Sequence, residues 1–245
     1  MSVINHPASL EQSPAGAKGQ ARSIPIITLL LGGLSAVGLL VAIGLVFFYA
    51  PVDSVQGEVF RIFYFHVPAA WIGMLAFIVQ AVFGIIYLLK PDERLDWIAR
   101  ASAELGAVFL TIGIVMGSLW AKPVWGIWWA WDAKLTAVLI LWFMFLGYIM
   151  LRSYMGRTPE SARAGAVWGI VGVIDIPIIY LSVQWWRGQH PGAEISPSGG
   201  LPPEALLTLF VAVVAFTLLY CFLMVQIYQL QRLQSRAETL RAIVE

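Results

Sequence analysis

The sequence predicts an all-α integral membrane protein with six transmembrane helices, and two observations support this fold class. Of its 245 residues, 60% are hydrophobic and only 12% are charged, whereas about a quarter of the residues in an average soluble domain carry a charge. The apolar residues also form long continuous blocks. At about 1.5 Å rise per residue, roughly 20 apolar residues cross the hydrocarbon core of a bilayer. A multi-pass helical protein satisfies both observations.

Six apolar blocks follow one another along the chain. They are Ile26–Ala50, Val67–Leu89, Leu105–Trp120, Leu135–Leu151, Ala164–Trp186 and Ala205–Tyr228. The first block exceeds the roughly 7–15 apolar residues of a cleavable signal peptide, which indicates a true span. The third and fourth blocks are short, so they need flanking residues or a locally thinned bilayer. Residues 26–228 are therefore predicted to form a six-helix membrane domain.

The lysines and arginines are divided unequally between the two sides of this predicted domain. Arg61, Lys122, Lys134 and Arg187 fall in the first, third and fifth connections, and the remaining eleven of the fifteen fall in the tails and other connections. Because cytoplasmic loops carry the excess of positive charge, both termini are predicted to be cytoplasmic. Residues 1–25 are expected to form a disordered N-terminal tail, and residues 229–245 a C-terminal tail.

Composition also excludes several classes of function. The net charge of +1 gives no basic field that would attract nucleic acid. Cys221 is the single cysteine, so the chain has no disulfide framework, redox pair or covalent haem-attachment motif. We find no nucleotide-binding loop, so the chain is expected to have no ATPase site of its own.

The predicted outward connections, Pro51–His66, Ala121–Lys134 and Arg187–Glu204, contain the most unusual residues. The stretch from Ala121 to Thr136 reads "AKPVWGIWWAWDAKLT" and contains four tryptophans within seven residues, followed by an aspartate: Trp125, Trp128, Trp129, Trp131 and Asp132. If this segment is helical, its spacing places all of these except Trp131 on one face. An interfacial aromatic belt is the simpler alternative. We interpret the cluster as an aromatic platform for a large flat ligand at the outer leaflet.

Two histidines, His66 and His190, lie in outward connections beside this cluster. Each alone could be an interfacial hydrogen-bonding residue, but neutral imidazole is also a good iron ligand. Haem combines a flat macrocycle, two axial positions and two carboxylates, so it suits tryptophans, histidines and cations together. The candidate cations for the propionates are Arg61, Lys122, Lys134 and Arg187. Zinc is less favoured because it usually takes three or four side-chain ligands.

Asp175 offers a different hypothesis, because it lies in the middle of the fifth apolar block in "IVGVIDIPIIYLSV". An acid at that depth is a functional candidate and would suit a proton- or ion-coupled transporter. Alternatively, it stabilises a kink at Pro177. A cytochrome b-type electron-transfer subunit would place its histidines deep inside the spans, unlike this pattern. The "GIVMG" and "GAVWG" segments predict close helix packing.

Three segments together resemble a known family. "WGIWWAWD" is similar to the WWD signature of the haem-handling membrane proteins of cytochrome c maturation. Together with "RIFYFHVPAA" and "PIIYLSVQWWRGQH", it most resembles the CcmC family, usually called haem exporter protein C. The resemblance covers nearly the whole chain except the tails. The sequence departs from the family pattern at Ile127 and Lys134, where the resemblance leads us to expect Thr and Arg. At the second of these positions, lysine contacts a carboxylate less directionally than arginine would.

The resemblance implies a function and a set of site residues. His66 and His190 would be the axial ligands of haem b, and Trp125, Trp128, Trp129, Trp131 and Asp132 would form the WWD segment. The protein would hold haem at the outer, periplasmic face of the bacterial inner membrane and present it to the haem chaperone CcmE. It would work with CcmD and with the CcmA–CcmB ATPase as a binding and transfer component rather than an enzyme, although a lyase-like role in loading the chaperone stays open.

Overall fold

A computed structural model describes residues 25–186, 188–190 and 200–244 of the chain. These residues form α1 (Ile26–Phe48), a 3-10 helix (Glu58–Ile62), α2 (Phe63–Leu89), α3 (Glu93–Trp125), α4 (Ala133–Met155), α5 (Pro159–Val173), α6 (Asp175–Trp185) and α7 (Pro203–Val244). Among these described residues, six helical segments are long and apolar enough to span a membrane, with α5 and α6 forming one of them. The predicted all-helical fold with six helices of membrane-spanning length is confirmed there. Most of the predicted N-terminal tail lies outside the described residues.

Several helices extend beyond the apolar blocks that predicted them. The two short blocks belong to helices of 33 and 23 residues, α3 and α4, so flanking residues supply the missing length. Side-chain caps set the starts of these helices, since Asp92 accepts a hydrogen bond from the Arg94 amide and Asp132 accepts one from the Leu135 amide. At the other end of the chain, α7 stays helical through most of the predicted C-terminal tail.

The fifth span is broken between α5 and α6. Ile174 forms a turn whose amide donates to the Val171 carbonyl, three residues back rather than four. Pro177, three residues later, has no amide hydrogen with which to continue the α-helical pattern. Asp175 is the first residue of α6, and its Oδ2 atom is buried without a hydrogen-bond partner among the described residues. The predicted kink is therefore present, whereas a bond from Asp175 that stabilises it is not seen there.

Helix α2 lies at the centre of the bundle. It packs against α3, α5 and α7, while α1 packs along α7 and α4 packs against α5 and α6. Ile72, Phe77, Leu110, Leu141 and Phe145 are almost completely buried in the main core. Because α2 and α3 pack against each other, the α1–α2 and α3–α4 connections lie at the same end of the bundle.

The two ends of the bundle differ in chemistry. The α1–α2 and α3–α4 connections and residues 188–190 lie at one end, which we call the histidine end. At the opposite end, called the arginine end, buried Arg152 pairs with Asp96 at 2.6 Å, and Arg157 donates to Gln231 of α7. The described parts of the three connections predicted to face outward thus lie at the same end. The direction in which each end faces relative to the cytoplasm stays a prediction.

Candidate functional site

His66 lies one turn into α2 and is fixed by α3. Its Nδ1 atom is 2.9 Å from the carbonyl oxygen of Gly113. Because a carbonyl can only accept, Nδ1 must carry the proton, which leaves a lone pair on Nε2. Trp120 packs edge-to-face against the imidazole, with ring centroids 5.8 Å apart. A metal-ligating histidine commonly has such a carbonyl partner on its second nitrogen.

His190 lies just beyond α6, in the short described segment of residues 188–190. Its Nδ1 atom is 3.4 Å from Oδ2 of Asp132, and its ring packs edge-to-face against Trp125 at 5.2 Å. Burial lowers the pKa of His190, and the nearby charge of Lys134 lowers it further, while Asp132 opposes both effects. The neutral imidazole, which is the form that binds iron, is therefore favoured at neutral pH.

Asp132 joins the tryptophan-rich connection to the segment that carries His190. One carboxylate oxygen, Oδ1, caps α4 by accepting from the Leu135 amide at 2.8 Å. The other, Oδ2, faces His190 and accepts from the Gln189 amide at 3.2 Å. The aspartate of the WWD segment thus orients a histidine. Its predicted direct contact with haem stays a prediction.

The two histidines come from different connections but lie against the same end of α3. His66 contacts Trp120, and His190 contacts Trp125, the last residue of that helix. Five residues of α-helix correspond to a rise of about 7.5 Å. The structure therefore places the two residues that the sequence predicts as axial ligands at the same end of α3.

The prediction that would place Trp125, Trp128, Trp129 and Asp132 on one helical face is wrong. Helix α3 ends at Trp125, and Gly126 caps it in the left-handed conformation with φ of 76°. Residues 127–132 are not helical. The directions of their tryptophan side chains therefore do not follow helical periodicity. This segment is called the tryptophan loop below.

Within the tryptophan loop, the indoles have different environments. Trp128 and Trp131 are 56% and 77% exposed and so accessible to a ligand, a partner or lipid, although the Lys122 ammonium lies over the Trp128 ring, 5.9 Å from its centroid. Trp129 packs edge-to-face against Trp131 at 6.0 Å. Its indole nitrogen is buried without a hydrogen-bond partner in the described part of the chain. A buried donor of this kind suits an acceptor that binds at the site.

The candidate propionate-binding cations are not equivalent. Arg61 donates to Glu58 and to the Val46 carbonyl, so its guanidinium ties the 3-10 helix to α1. Lys122 donates to the Gly126 carbonyl at 2.9 Å and reinforces the end of α3. Lys134 lies close enough to His190 to lower the pKa of that imidazole. Arg187 lies outside the described residues.

Sequence analysis did not predict two residues that contact His66. Trp120 was visible only as one more tryptophan bordering an outward connection, and Gly113 only as part of a helix-packing pattern. Neither residue type indicates a histidine partner by itself. Their role arises from the antiparallel packing of α2 on α3.

Comparison with known proteins identifies the family. Residues 15–243 match the family model of CcmC, described as heme exporter protein C. The chain belongs to the CcmC family. Membership of the CcmC family implies a role in haem handling for cytochrome c biogenesis, as a multi-pass membrane member of the Ccm haem-exporter complex.

Bacterial and plant relatives agree with this assignment. The chain is 38% identical to heme exporter protein C of Bradyrhizobium diazoefficiens, over 78% of this chain and 74% of that protein. It is 36% identical to heme exporter protein C of Haemophilus influenzae, over 78% of each chain. It is also 40% identical to a putative cytochrome c biosynthesis ccmC-like mitochondrial protein of Marchantia polymorpha, over 64% of this chain and 67% of that protein.

The side chains at the histidine end suit haem better than a protein-bound metal ion. The described residues contain no group of three or more His, Cys, Asp or Glu side chains that could hold a metal. Haem iron requires fewer protein ligands, because the macrocycle occupies four coordination positions and leaves two axial ones. His66 and His190 match that requirement in number and in ligand type.

Proposed function

We propose that this member of the CcmC family binds haem b at the periplasmic face of the bacterial inner membrane and presents it to the haem chaperone CcmE. Its proposed partners are CcmE, CcmD, CcmA and CcmB, together with the surrounding lipids. The observation that carries the proposal is the position of His66 and His190 against the last turns of α3. Both termini would then be cytoplasmic, with the histidine end facing the periplasm.

Each site residue has a different proposed role in holding haem. His66 and His190 would supply the axial nitrogens, each with its second nitrogen directed at an oxygen of the protein. The exposed indoles of Trp128 and Trp131 would cover the apolar macrocycle. Lys134 adds positive charge that favours the propionates.

The two histidines are held with different strength, which suits transfer of a bound group. His66 belongs to a long helix and has a 2.9 Å contact with a backbone carbonyl. His190 lies in a connection, and its contact with Asp132 is 3.4 Å. We infer that His190 is the ligand that releases the iron first when haem passes to the chaperone. This chain would act by binding and transfer.

Family membership favours haem handling over the transporter hypothesis for Asp175. The described part of the chain shows no ion pair for that carboxylate, which a coupled transporter built on a charge pair would require. The cytochrome b-type hypothesis also loses support, because His66 lies near the start of α2 rather than deep in the span.

An absorption spectrum of the purified protein with added haem tests the proposal. We expect the unchanged protein to show a six-coordinate, low-spin spectrum, and His66→Ala and His190→Ala each to weaken or shift it. His6→Ala is the matched control, because His6 is the third histidine and lies in the predicted cytoplasmic tail. A colourless unchanged protein, or equal spectra for all three variants, would overturn the assignment of His66 and His190.

A further inference from the structure

Helices α2 and α3 approach each other through successive close contacts that end at His66. A Cβ atom on Gly73 would lie 2.9 Å from the Cβ of Leu110, and one on Gly113 would lie 3.2 Å from the Cα of Ala70. The next contact toward the histidine end joins Gly117 to the His66 ring. The "GIVMG" segment therefore does more than allow close helix packing, because its second glycine faces an imidazole.

The space beside Gly117 is filled by the imidazole ring of His66. A Cβ atom on Gly117 would lie 2.8 Å from Cε1 and 3.1 Å from Nδ1 of that ring. Real side chains do not approach so closely, so even one methyl group would force the imidazole to move. Because Cε1 lies between the two ring nitrogens, any such movement also displaces Nε2.

The imidazole has little freedom to yield. Its Nδ1 atom bonds the Gly113 carbonyl one turn below Gly117, and Trp120 packs against the ring from the following turn. Trp120 is itself held by a 2.8 Å hydrogen bond from its indole nitrogen to Gln56. A shifted ring would lose one or both of these contacts.

We propose that Gly117 is a positioning residue for haem binding, since its missing side chain lets the His66 ring lie against α3 and so sets the position of Nε2. This inference deepens the proposed function and rests on His66 being an axial ligand. Gly113 and Trp120 set the rotation of the ring, and Gly117 sets its distance from the helix. The consequence is that ligand geometry at His66 depends on the α2–α3 contact rather than on α2 alone.

The test titrates full-length Gly117→Ala with haem and records affinity, spin state and thermal stability. We expect haem affinity to fall about 10–100-fold, as for other partners that orient a metal ligand, with conversion from six-coordinate low-spin to high-spin haem. Added imidazole should restore the low-spin spectrum. A wild-type affinity and spectrum in Gly117→Ala would overturn the inference.

Two control variants separate ring positioning from general disruption. Gly73→Ala creates an equally short contact in the same helix pair, 2.9 Å from the Cβ of Leu110 and 3.1 Å from its backbone rather than against His66. Gly44→Ala adds a methyl group where nothing lies within 4 Å. We expect Gly73→Ala to lower thermal stability but to retain the low-spin spectrum, and Gly44→Ala to change neither. An equal loss of the low-spin spectrum in Gly73→Ala would contradict a specific role for Gly117.

A double variant makes the result decisive even if Gly117→Ala folds poorly. Removing the ring with His66→Ala should relieve the clash, so His66→Ala/Gly117→Ala should fold and bind haem as His66→Ala does. Failure of this rescue would overturn the inference. If His66→Ala leaves the haem spectrum unchanged, the proposed function is wrong. If His66→Ala changes the spectrum but Gly117→Ala does not, only the inference about Gly117 is wrong.

Discussion

Asp132 shows how one side chain can serve both local and long-range structure. Its Oδ1 atom caps α4, which is a local role of aspartate before a helix. Its Oδ2 atom faces His190 across 58 residues of sequence. A substitution that changes only one of these two contacts therefore distinguishes an effect on helix stability from an effect on the orientation of His190.

Asp132→Asn is expected to keep most of the cap, because its amide oxygen can still accept from the Leu135 amide. It loses the negative charge, and its NH₂ group would face a histidine nitrogen that also carries a proton. We expect about a 10-fold loss of haem affinity. Asp132→Ala should show the same loss together with about 1 kcal/mol of lower unfolding free energy.

Asp92→Ala is the matched control for these variants, because Asp92 caps α3 in the same way at the arginine end. It should cost a similar unfolding free energy and leave haem binding intact. Unfolding in detergent and haem titration measure the two quantities. A normal haem affinity in Asp132→Asn would contradict the orienting role of Oδ2.

At the scale of elements, the end of α3 decides where the tryptophans point. Gly126 adopts φ of 76° and ψ of −5°, and its amide donates to the Lys122 carbonyl, which closes the helix. Glycine adopts this conformation without the steric cost that a Cβ atom adds. The helix thus stops after Trp125, and the remaining tryptophans project from a loop.

Gly126→Ala is expected to lower the unfolding free energy by about 1–2 kcal/mol, because an L-residue is strained in this conformation. It should also weaken haem binding by displacing the tryptophan loop. Gly156→Ala provides a control at the arginine end, where φ of 68° and ψ of −155° are at least as unfavourable for alanine. Its haem titration should match the unchanged protein, and a comparable loss of affinity there would contradict the assignment.

At the scale of the whole molecule, the bundle separates two kinds of chemistry at its ends. The histidine end holds the tryptophan loop, both imidazoles and the 3-10 helix. The arginine end holds the Arg152–Asp96 pair and the contacts of Arg157 with α7. This separation fits a protein that exchanges its ligand on one side of a membrane.

The predicted orientation can be checked with single cysteines in a Cys221→Ala background. Ser54 at the histidine end and Thr239 on α7 are both exposed hydroxyl residues, so Ser54→Cys and Thr239→Cys form a matched pair. A membrane-impermeant maleimide added to intact spheroplasts should label only Ser54→Cys. Labelling of Thr239→Cys alone would reverse the topology and place the haem site on the cytoplasmic side.

The sequence alone determined the number and order of the spans. Bilayer thickness fixes the length of an apolar helix, so a one-dimensional pattern suffices to count the spans. Residue types also indicated the ligand class, because histidines, clustered tryptophans and nearby cations together suit haem. The local signal at Gly126 was present as well, but assuming helical periodicity through "WGIWWAWD" gave the wrong face.

Only the tertiary structure decided which residues support each histidine. Gly113 lies 47 residues from His66, and Asp132 lies 58 residues from His190. Such contacts depend on the register in which α2 packs on α3 and on where α6 directs the chain. Apolar composition does not encode that register, because many registers bury similar apolar surface, and the fit of individual side chains selects among them.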